Sequence, residues 1–455
     1  MEKTIAALST PPAAAGLGVI RVSGEAAIEV ADRIFRAAAR GRTLAQQPGY
    51  TALYGRVYDA HGDIDECVAL VFRAPHSYTG ENVVELSCHG GMYLLGRVLS
   101  ALFAAGAQPA QAGEFTRRAF INGKIDLTQA EAVMELIAAN GRLAAKTALA
   151  MREGALHERL SEVRQQLVQA DASISAFVDY PYEDIPEPDL PGIRAALGSA
   201  RDALERLLNT FDAGRVVREG IDTVIVGSPN VGKSTLMNCL SGCERSIVTP
   251  IAGTTRDIVE ETVRLGDVLL RLADTAGIRD TGDTVESIGV QRARNRLEQA
   301  ALLLVLFDGS RPLDQDDCAL IRETAGQIAI AVVNKADCEL KIDLSYIKQN
   351  YQHIVVVSAA SGEGLDALEE AVRRITGVQA LDEAEPLLAT ERQRDCTRRC
   401  LLNVQEALDA LDTGMTLDAV SVCVEAAVAA VLEMTGERVT ETVVDDIFAR
   451  FCVGK

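Results

Sequence analysis

The sequence lacks the signals that would place it in an exported or membrane class. Its ten cysteines are scattered without the dense spacing of a disulfide framework, which favours reduced thiols in a reducing compartment. No apolar run approaches the roughly 20 residues that cross a bilayer. The start, Met1-Glu2-Lys3-Thr4, has neither a basic stretch nor a long apolar one, so nothing in it predicts export. We therefore expect a cytoplasmic protein without a membrane segment.

Positive charge is also scarce. The chain has 45 basic and 65 acidic residues, which gives a formal net charge of −20. Such a body repels phosphate at long range, which argues against non-specific binding along nucleic acid but leaves room for a local basic face for one RNA. A chain of 455 residues is too long to fold around a single hydrophobic core, so we expect two to four domains.

The pattern along the chain changes three times. Short β-rich stretches, punctuated by Gly and Pro, alternate with helical stretches near 25–38 and 92–105. Helical apolar stripes run from about 127 to 178 and, after an acidic, proline-rich break at 179–188, from about 193 to 214, and they return after Gly377. Strands alternate with helices between 221 and 376, which is typical of a doubly wound parallel sheet. Helical stripes on both sides of this α/β unit indicate that it is inserted into a helical domain.

The strongest motif is Gly227-Ser228-Pro229-Asn230-Val231-Gly232-Lys233-Ser234, which follows an apolar strand and opens a helix. Backbone N–H groups of such a loop close around phosphates, helped by the positive end of the helix. Lys233 is expected to reach the β and γ phosphates, and the Ser234 hydroxyl to ligate Mg²⁺. The expected contacts of this loop come from Asn230, Val231, Gly232, Lys233, Ser234 and Thr235.

Three further motifs follow in the order of a Ras-like P-loop GTPase. They are Asp274-Thr275-Ala276-Gly277, Asn334-Lys335-Ala336-Asp337 and Ser358-Ala359-Ala360, each at the end of an apolar strand. Asp274 can hold a metal-bound water, and Asp337 can accept hydrogen bonds from guanine N1 and N2, which adenine cannot supply. Residues 358–360 can bring a backbone N–H to guanine O6. GTP, not ATP, is the predicted ligand.

The catalytic position departs from the Ras pattern. Ile278 stands where a Ras-type protein has the glutamine that orients the attacking water. An isoleucine cannot do this, so hydrolysis is slow or another group serves. Glu286 is the candidate, and a solvated loop carboxylate is the alternative.

These motifs and the two ends of the chain closely resemble the MnmE (TrmE) family of tRNA-modification GTPases, over essentially the whole sequence. The most specific pieces are Thr10-Pro11-Pro12, Gly18 to Gly24, Tyr78-Thr79-Gly80-Glu81-Asn82, Gly113 to Phe120, Ile251 to Asp257 and Cys452-Val453-Gly454-Lys455. The resemblance implies a multidomain α/β plus α protein. Its domains are a mixed α+β, folate-binding-like N-terminal domain (1–118), a discontinuous helical domain (119–216 and 379–455) and an inserted Ras-like doubly wound GTPase domain (217–378).

The resemblance also implies a reaction. With a FAD-dependent partner, MnmG, in a heterotetramer, the family adds an aminomethyl-type (carboxymethylaminomethyl) group at C5 of the wobble uridine of certain tRNAs. The one-carbon donor would be 5-formyl-tetrahydrofolate or a related tetrahydrofolate, contacted by Arg21, Glu85, Lys124 and Lys455. A homodimer held by the N-terminal domains is expected. Cys452 is the candidate nucleophile, with a partly exposed thiol on a terminal turn as the alternative.

A potassium site is implied where many GTPases recruit an arginine finger. Asn230, Thr249, Ile251 and Thr254 would supply its oxygens, and Thr255 would join Ser234 on Mg²⁺. The nucleotide-contacting loop is expected to comprise Thr249, Pro250, Ile251, Ala252, Gly253, Thr254 and Thr255. In this family a glutamate at the position of Glu286 positions the water, and G-domain dimerisation stimulated by K⁺ drives hydrolysis. A regulatory or ribosome-assembly GTPase switch without modification chemistry stays open as the alternative function.

The loop carboxylates allow a matched test of the catalytic position. Glu286→Ala should leave GTP binding nearly intact and lower kcat by about 10²-fold or more, since positioning and general-base contributions are of that order. Asp283→Ala, which removes another carboxylate from the same loop, is the control and should hydrolyse GTP normally. Single-turnover hydrolysis measures both variants. A wild-type rate for Glu286→Ala would return this residue to the role of a solvated carboxylate.

Overall fold

The computed structural model describes residues 3–179, 187–243, 261–272, 300–381 and 386–454. The chain forms two compact units, one made of residues 1–134 with 428–455 and the other of residues 135–427. No helix within the described ranges is both long and apolar enough to span a membrane.

Helices and strands are numbered in chain order over these described residues. The helices are α1 (Ala27–Asp32), α2 (Met92–Ala104), α3 (Glu114–Ile121), α4 (Leu127–Ala138), α5 (Arg142–Glu153), α6 (Ala155–Asp179), α7 (Leu190–Glu219), α8 (Lys233–Cys243), α9 (Gln315–Thr324), α10 (Leu344–Asn350), α11 (Leu365–Ile375), α12 (Glu391–Asp412), α13 (Leu417–Thr435) and α14 (Glu441–Phe448). The strands are β1 (Ile5–Leu8), β2 (Ala15–Ser23), β3 (Phe35–Ala37), β4 (Thr51–Asp59), β5 (Gly62–Phe72), β6 (Val83–Gly90), β7 (Gln108–Pro109), β8 (Ile221–Gly227), β9 (Glu261–Leu265), β10 (Val268–Leu272), β11 (Leu302–Asp308), β12 (Ala329–Asn334) and β13 (His353–Val356).

A sheet of seven strands organises the first unit. Its order is β3-β4-β5-β6-β2-β1-β7, and every neighbouring pair is antiparallel except β1 with β7. Side chains alternate between the two faces of a strand, so Ile20 and Leu86 point into the core beside α2 while Arg21 and Glu85 lie on the other face. The register sets Arg21 directly opposite Glu85.

The C-terminal residues pack into this first unit. Phe448 and Phe451 are buried in one apolar cluster with Leu127 and Ala130 of α4. Their rings lie 5.1 Å apart between centroids. Two aromatic rings in one cluster stabilise by their buried area and by their edge contacts. The last residues of the chain are thereby held close to α3 and α4.

A six-stranded sheet organises the second unit in the order β13-β12-β11-β8-β10-β9. All pairs are parallel except the β9–β10 hairpin. All seven residues of β11 are buried. Leu304 packs on one side of the sheet and Val305 on the other. A strand covered on both faces reads as a continuous apolar run, which is why β11 is Leu-Leu-Leu-Val-Leu-Phe-Asp.

Long helices complete the second unit. The apolar stripe of α7 is buried as its spacing predicts, with Leu197, Leu204, Leu207 and Phe211 all at most 3 % exposed. Helix α7 packs against α6 and α12. The predicted fold class, α/β with an additional helical part, is confirmed.

Several predicted elements were wrong in their extent. The stretch 25–38, predicted as a helix, contains the short helix α1 followed by β3, which pairs with β4. The helical region predicted from about 127 to 178 is confirmed, and it consists of three helices, α4, α5 and α6, because the chain breaks at Gly141 and Gly154. The sequence pattern did not predict strands β1, β3 and β7. These strands are short and have no apolar–polar alternation of their own, so their positions depend on pairing with neighbouring strands.

Two glycines with nearly the same backbone allow a test of the C-terminal packing. Gly113 has a φ of +65°, and a Cβ added to it would lie 2.7 Å from the carbonyl oxygen of Phe448. Gly123 has a φ of +67° and no neighbour within 4 Å of such a Cβ. Gly123→Ala should lower the free energy of unfolding by about 1–2 kcal/mol, the cost of the left-handed backbone. Gly113→Ala should cost about 1–3 kcal/mol more because of the clash, as measured by urea denaturation. Equal losses for the two variants would contradict this packing.

Candidate functional site

The predicted phosphate loop lies between β8 and α8, where its motif requires it. Asn230 has a φ of +63° and Gly232 a φ of +99°. A Cβ at position 232 would lie 2.3 Å from Nδ2 of Asn334, so only glycine fits there. Left-handed residues in such a loop turn successive N–H groups inward, and α8 adds its positive end. The loop therefore has the form of an anion cradle.

Lys233 begins α8 and turns back over this loop. Its Nζ donates to the carbonyl oxygens of Gly227 at 2.6 Å and Ser228 at 2.9 Å. Burial lowers the pKa of Lys233 because it disfavours the charged form. The ammonium group is thus held by the loop that it is predicted to serve. Ser234 and Thr235 follow in the first turn of the helix with exposed side chains.

Asn334 joins two of the predicted nucleotide loops. It ends β12 and is 3 % exposed. Its Nδ2 donates to the carbonyl oxygen of Val231 at 2.8 Å, and its Oδ1 accepts from the N–H of Ala359 at 2.9 Å. The phosphate loop and residues 358–360 are therefore fixed to one side chain.

The carboxylate of Asp337 is oriented by Ser358. Oδ1 accepts from the Ser358 hydroxyl at 2.6 Å. This hydrogen bond is the main cause that holds the pKa of Asp337 below its usual range. Asp337 is accordingly an ionised acceptor, and its second oxygen lies 3.7 Å from Sγ of Cys338. An acceptor of this kind suits a pair of N–H donors such as guanine N1 and N2.

Two N–H groups of the 358–360 loop form hydrogen bonds within the protein. The N–H of Ser358 donates to the carbonyl oxygen of Glu363, and that of Ala359 donates to Asn334. Both are therefore engaged within the protein. Of the three predicted residues, Ala360 is the one whose N–H can still meet guanine O6.

Sequence reasoning missed Asp308, at the end of β11. Its Oδ2 accepts from Nζ of Lys335 at 2.6 Å, and its Oδ1 accepts from Ser310. Burial alone would raise its pKa, but the hydrogen bonds from Lys335 and Ser310 hold the pKa of Asp308 below its usual range. Lys335 itself has a φ of +68°. An acidic residue at the end of a buried parallel strand was the available signal, because such strand ends meet at one edge of the sheet.

Some of the predicted site residues lie outside the described part of the chain. They are Thr249, Pro250, Ile251, Ala252, Gly253, Thr254, Thr255, Asp274, Thr275, Ala276, Gly277, Glu286 and Lys455. Their roles on the nucleotide, on Mg²⁺ and K⁺, on the attacking water and on folate stay predictions.

The predicted folate residues lie in the first unit. Nε and Nη2 of Arg21 both contact Oε1 of Glu85, at 2.9 and 2.8 Å. The guanidinium also lies over the rings of Tyr78 and Phe115, 5.3 and 5.6 Å from their centroids. Lys124 donates from Nζ to the carbonyl oxygen of Pro75 at 3.2 Å. The two residues predicted as separate contacts, Arg21 and Glu85, are thus partners of each other.

The C-terminal tail runs beside the same sheet. Val453 forms an antiparallel bridge with Ala112, and the Ser9 hydroxyl donates to the carbonyl oxygen of Gly454 at 3.2 Å. Ser9 lies two residues beyond Ala7, the register partner of Arg21. Cys452 is exposed on this tail. The tail is therefore fixed near the end of β1 rather than left loose.

Comparison with known proteins covers both parts of the chain. A family model described as "MnmE helical domain" matches residues 127–452, and one described as "GTP-binding protein TrmE N-terminus" matches residues 4–124. The chain belongs to the MnmE family. The predicted family and the predicted GTPase class are thereby confirmed.

Individual MnmE relatives match over the full length. "tRNA modification GTPase MnmE" of Symbiobacterium thermophilum is 43 % identical over 458 residues, covering 100 % of both chains. That of Geobacter sulfurreducens is 42 % identical over 460 residues, again covering 100 % of each. Among solved structures, the G domain of the T. maritima FeoB iron transporter is 25 % identical, covers 34 % of this chain and 98 % of that chain, and has a TM-score of 0.26.

The oriented carboxylate of Asp337 gives a test of base recognition. Asp337→Asn should weaken GTP binding roughly tenfold or more, because the amide can accept only one of the two hydrogen bonds from guanine. Xanthosine triphosphate, whose base carries an acceptor where guanine has a donor, should bind the variant better than GTP. Equilibrium titration measures both affinities. Asp343→Asn, which alters an exposed carboxylate that caps α10, is the matched control. Unchanged GTP affinity in Asp337→Asn would remove the base-reading role.

Proposed function

We propose that this GTPase binds GTP between the phosphate loop, Asp337 and Ala360, and that its hydrolysis serves the modification of a tRNA base. The observation that carries the proposal is the junction at Asn334, which joins the phosphate loop to the 358–360 loop. The Asp337–Ser358 bond adds the third element. The residues proposed to contact guanine and phosphate therefore lie at one edge of the sheet, where parallel α/β sheets bind ligands.

Magnesium and potassium are part of the proposal. The exposed hydroxyl of Ser234 in the first turn of α8 suits Mg²⁺, which prefers oxygen ligands and phosphate partners, and Thr255 would be its second protein ligand. The exposed amide of Asn230, on the left-handed turn of the phosphate loop, suits K⁺ together with Thr249, Ile251 and Thr254. A cation there supplies charge neutralisation of the phosphates, the task of an arginine finger. Glu286 would hold the attacking water.

The Arg21 cluster suits a flat, polar heterocycle such as a folate pterin. It combines a carboxylate, a guanidinium and the half-buried ring of Tyr78, while the fully buried ring of Phe115 packs against the guanidinium. The Tyr78 ring and the carboxylate would give a pterin a stacking surface and an acceptor for its N–H donors. Lys124 and Lys455 would add cations for the acidic tail of a tetrahydrofolate such as the 5-formyl form. Cys452 lies on the tail fixed near the end of β1.

The reaction that we propose is an aminomethyl-type (carboxymethylaminomethyl) addition at C5 of a wobble uridine. The folate would donate the one-carbon unit, and a FAD-dependent partner of the MnmG type would supply the redox step within a heterotetramer. The protein would then act in the cytoplasm, where its tRNA is. The GTPase cycle would drive a conformational step of the complex.

A homodimer through the first unit is part of the same proposal. One row of register partners, Tyr54, Val68, Ser87 and Val19, runs across the face of the sheet opposite the core. Tyr54 is 53 % and Val68 is 42 % exposed. Adjacent apolar side chains on an open sheet face suit a second copy of the chain. The Arg21–Glu85 pair lies on the same face, so a dimer would cover the folate patch.

Cys452 separates the modification chemistry from GTP hydrolysis. In a strain lacking the chromosomal copy, the wild-type chain should restore the modified wobble uridine, and Cys452→Ser should restore none of it. GTP hydrolysis of the purified variant should equal that of the wild type, because the tail lies in the first unit. Cys318→Ser, a half-buried thiol of α9, is the control. Mass spectrometry of tRNA nucleosides is the measurement. A normal nucleoside profile in the deletion strain itself would favour a pure GTPase switch.

A further inference from the structure

The chain from Asp308, the last residue of β11, to Asp317 in the first turn of α9 contacts two of the nucleotide loops. At its start, Asp308 holds Lys335 of the guanine-reading motif. At its end, Asp317 accepts a hydrogen bond at Oδ1 from the hydroxyl of Ser228, at 2.7 Å. Ser228 is the second residue of the phosphate loop and is 8 % exposed. The contact joins residues 89 positions apart in the sequence.

Asp317 is a buried charge with both oxygens in use. Its side chain is 2 % exposed. Oδ2 accepts from Nη1 of Arg311 at 2.8 Å and from the N–H of Asp314 at 3.2 Å. A buried carboxylate is strongly unfavourable unless it is paired and hydrogen-bonded, and here Arg311 and Ser228 meet this need from opposite sides. Removing any one partner leaves a buried group unsatisfied.

The helix cap does not explain this arrangement. Asp317 takes part in a capping box with Asp314 at the start of α9. That role uses Oδ2, and an exposed acid at the same position would serve it equally well. Oδ1 is directed instead at the phosphate loop. The burial and the Ser228 bond therefore call for a second role.

We propose that Asp317 is a positioning residue for nucleotide binding, which fixes the phosphate loop through the hydroxyl of Ser228 with Arg311 as its counter-charge. Two groups of Ser228 are held: its hydroxyl donates to Asp317, and its carbonyl oxygen accepts from Nζ of Lys233. The directions of the N–H groups in an anion-binding loop depend on its backbone, so anchoring the second residue sets the cradle before a phosphate enters. The proposal rests on the proposed function, GTP binding at this loop.

The test is a double-mutant cycle on the full chain. Ser228→Ala and Asp317→Ala should each raise the Kd for GDP roughly tenfold, the loss expected when a hydrogen bond to a charged group is removed. A non-hydrolysable GTP analogue should lose affinity by the same factor, because the phosphates nearest the loop are common to both nucleotides. The double variant should bind no more weakly than Asp317→Ala alone. Asp317→Asn, whose amide can still bond both Ser228 and Arg311, should fall between wild type and Asp317→Ala.

A matched control separates positioning from stability. Tyr351→Phe removes another buried hydroxyl bond of the same sheet domain, the 2.6 Å contact with Thr324 at the end of α9. It should lower Tm as much as Ser228→Ala and leave the Kd for GDP unchanged. If the wild-type chain binds GDP and Ser228→Ala binds it equally well, the positioning role is overturned. If the wild-type chain binds neither nucleotide, the proposed function fails first, and the inference fails with it.

Discussion

The candidate nucleotide site depends on one buried side-chain amide, that of Asn334. Its two atoms are used in opposite senses: Nδ2 donates to the phosphate loop and Oδ1 accepts from the 358–360 loop. No other side-chain type has a donor and an acceptor on one rigid planar end at this size. An aspartate would leave the carbonyl oxygen of Val231 facing a negative charge. The loops after β8, β12 and β13 therefore share one geometry, which the sheet alone would not impose.

The acidic composition is compatible with a phosphate ligand because acidic side chains at the site are paired with basic ones. In the site, Asp308 is paired with Lys335, and Asp317 shares Arg311 with Asp314. The surface offered to the ligand is instead the start of α8 with Lys233. A short-range field of this kind acts within one or two hydrogen-bond lengths, whereas the net charge of −20 is screened beyond about 10 Å at moderate salt. Overall charge thus predicts little about a site that binds by contact.

The sequence predicted the loops of the site more completely than the residues that hold those loops in place. A phosphate loop is readable because its glycines and Lys233 must follow a strand and open a helix within a few residues. Asp308 and Asp317 were missed, since their roles depend on partners brought in by the fold, the second of them 89 positions away. The pairing of Arg21 with Glu85 was likewise hidden, because it depends on strand register. The helix predicted near 25–38 failed for a related reason: pairing with β4 overrides local propensity in β3.

In the first unit, residues of the family motifs hold another part of the site in place. Glu81 accepts from the hydroxyl of Ser23 at 2.6 Å and from Nη1 of Arg118 at 3.1 Å. Burial opposes the charge on Arg118, but its bonds to Glu114 and Glu81 outweigh this and raise the pKa of Arg118. Together these residues fix the turn that carries Tyr78.

Tyr78 in turn lies under the guanidinium of Arg21, and its hydroxyl bonds Thr116 at 2.9 Å. The motif residues Glu81 and Arg118 can therefore act on a ligand at Arg21 without touching it. A buried ion pair tolerates few substitutions, because the loss of one partner leaves the other charge unpaired at a cost of about 3–5 kcal/mol. The most family-specific residues of the first unit therefore support the proposed site, and they position the residues that would contact the ligand.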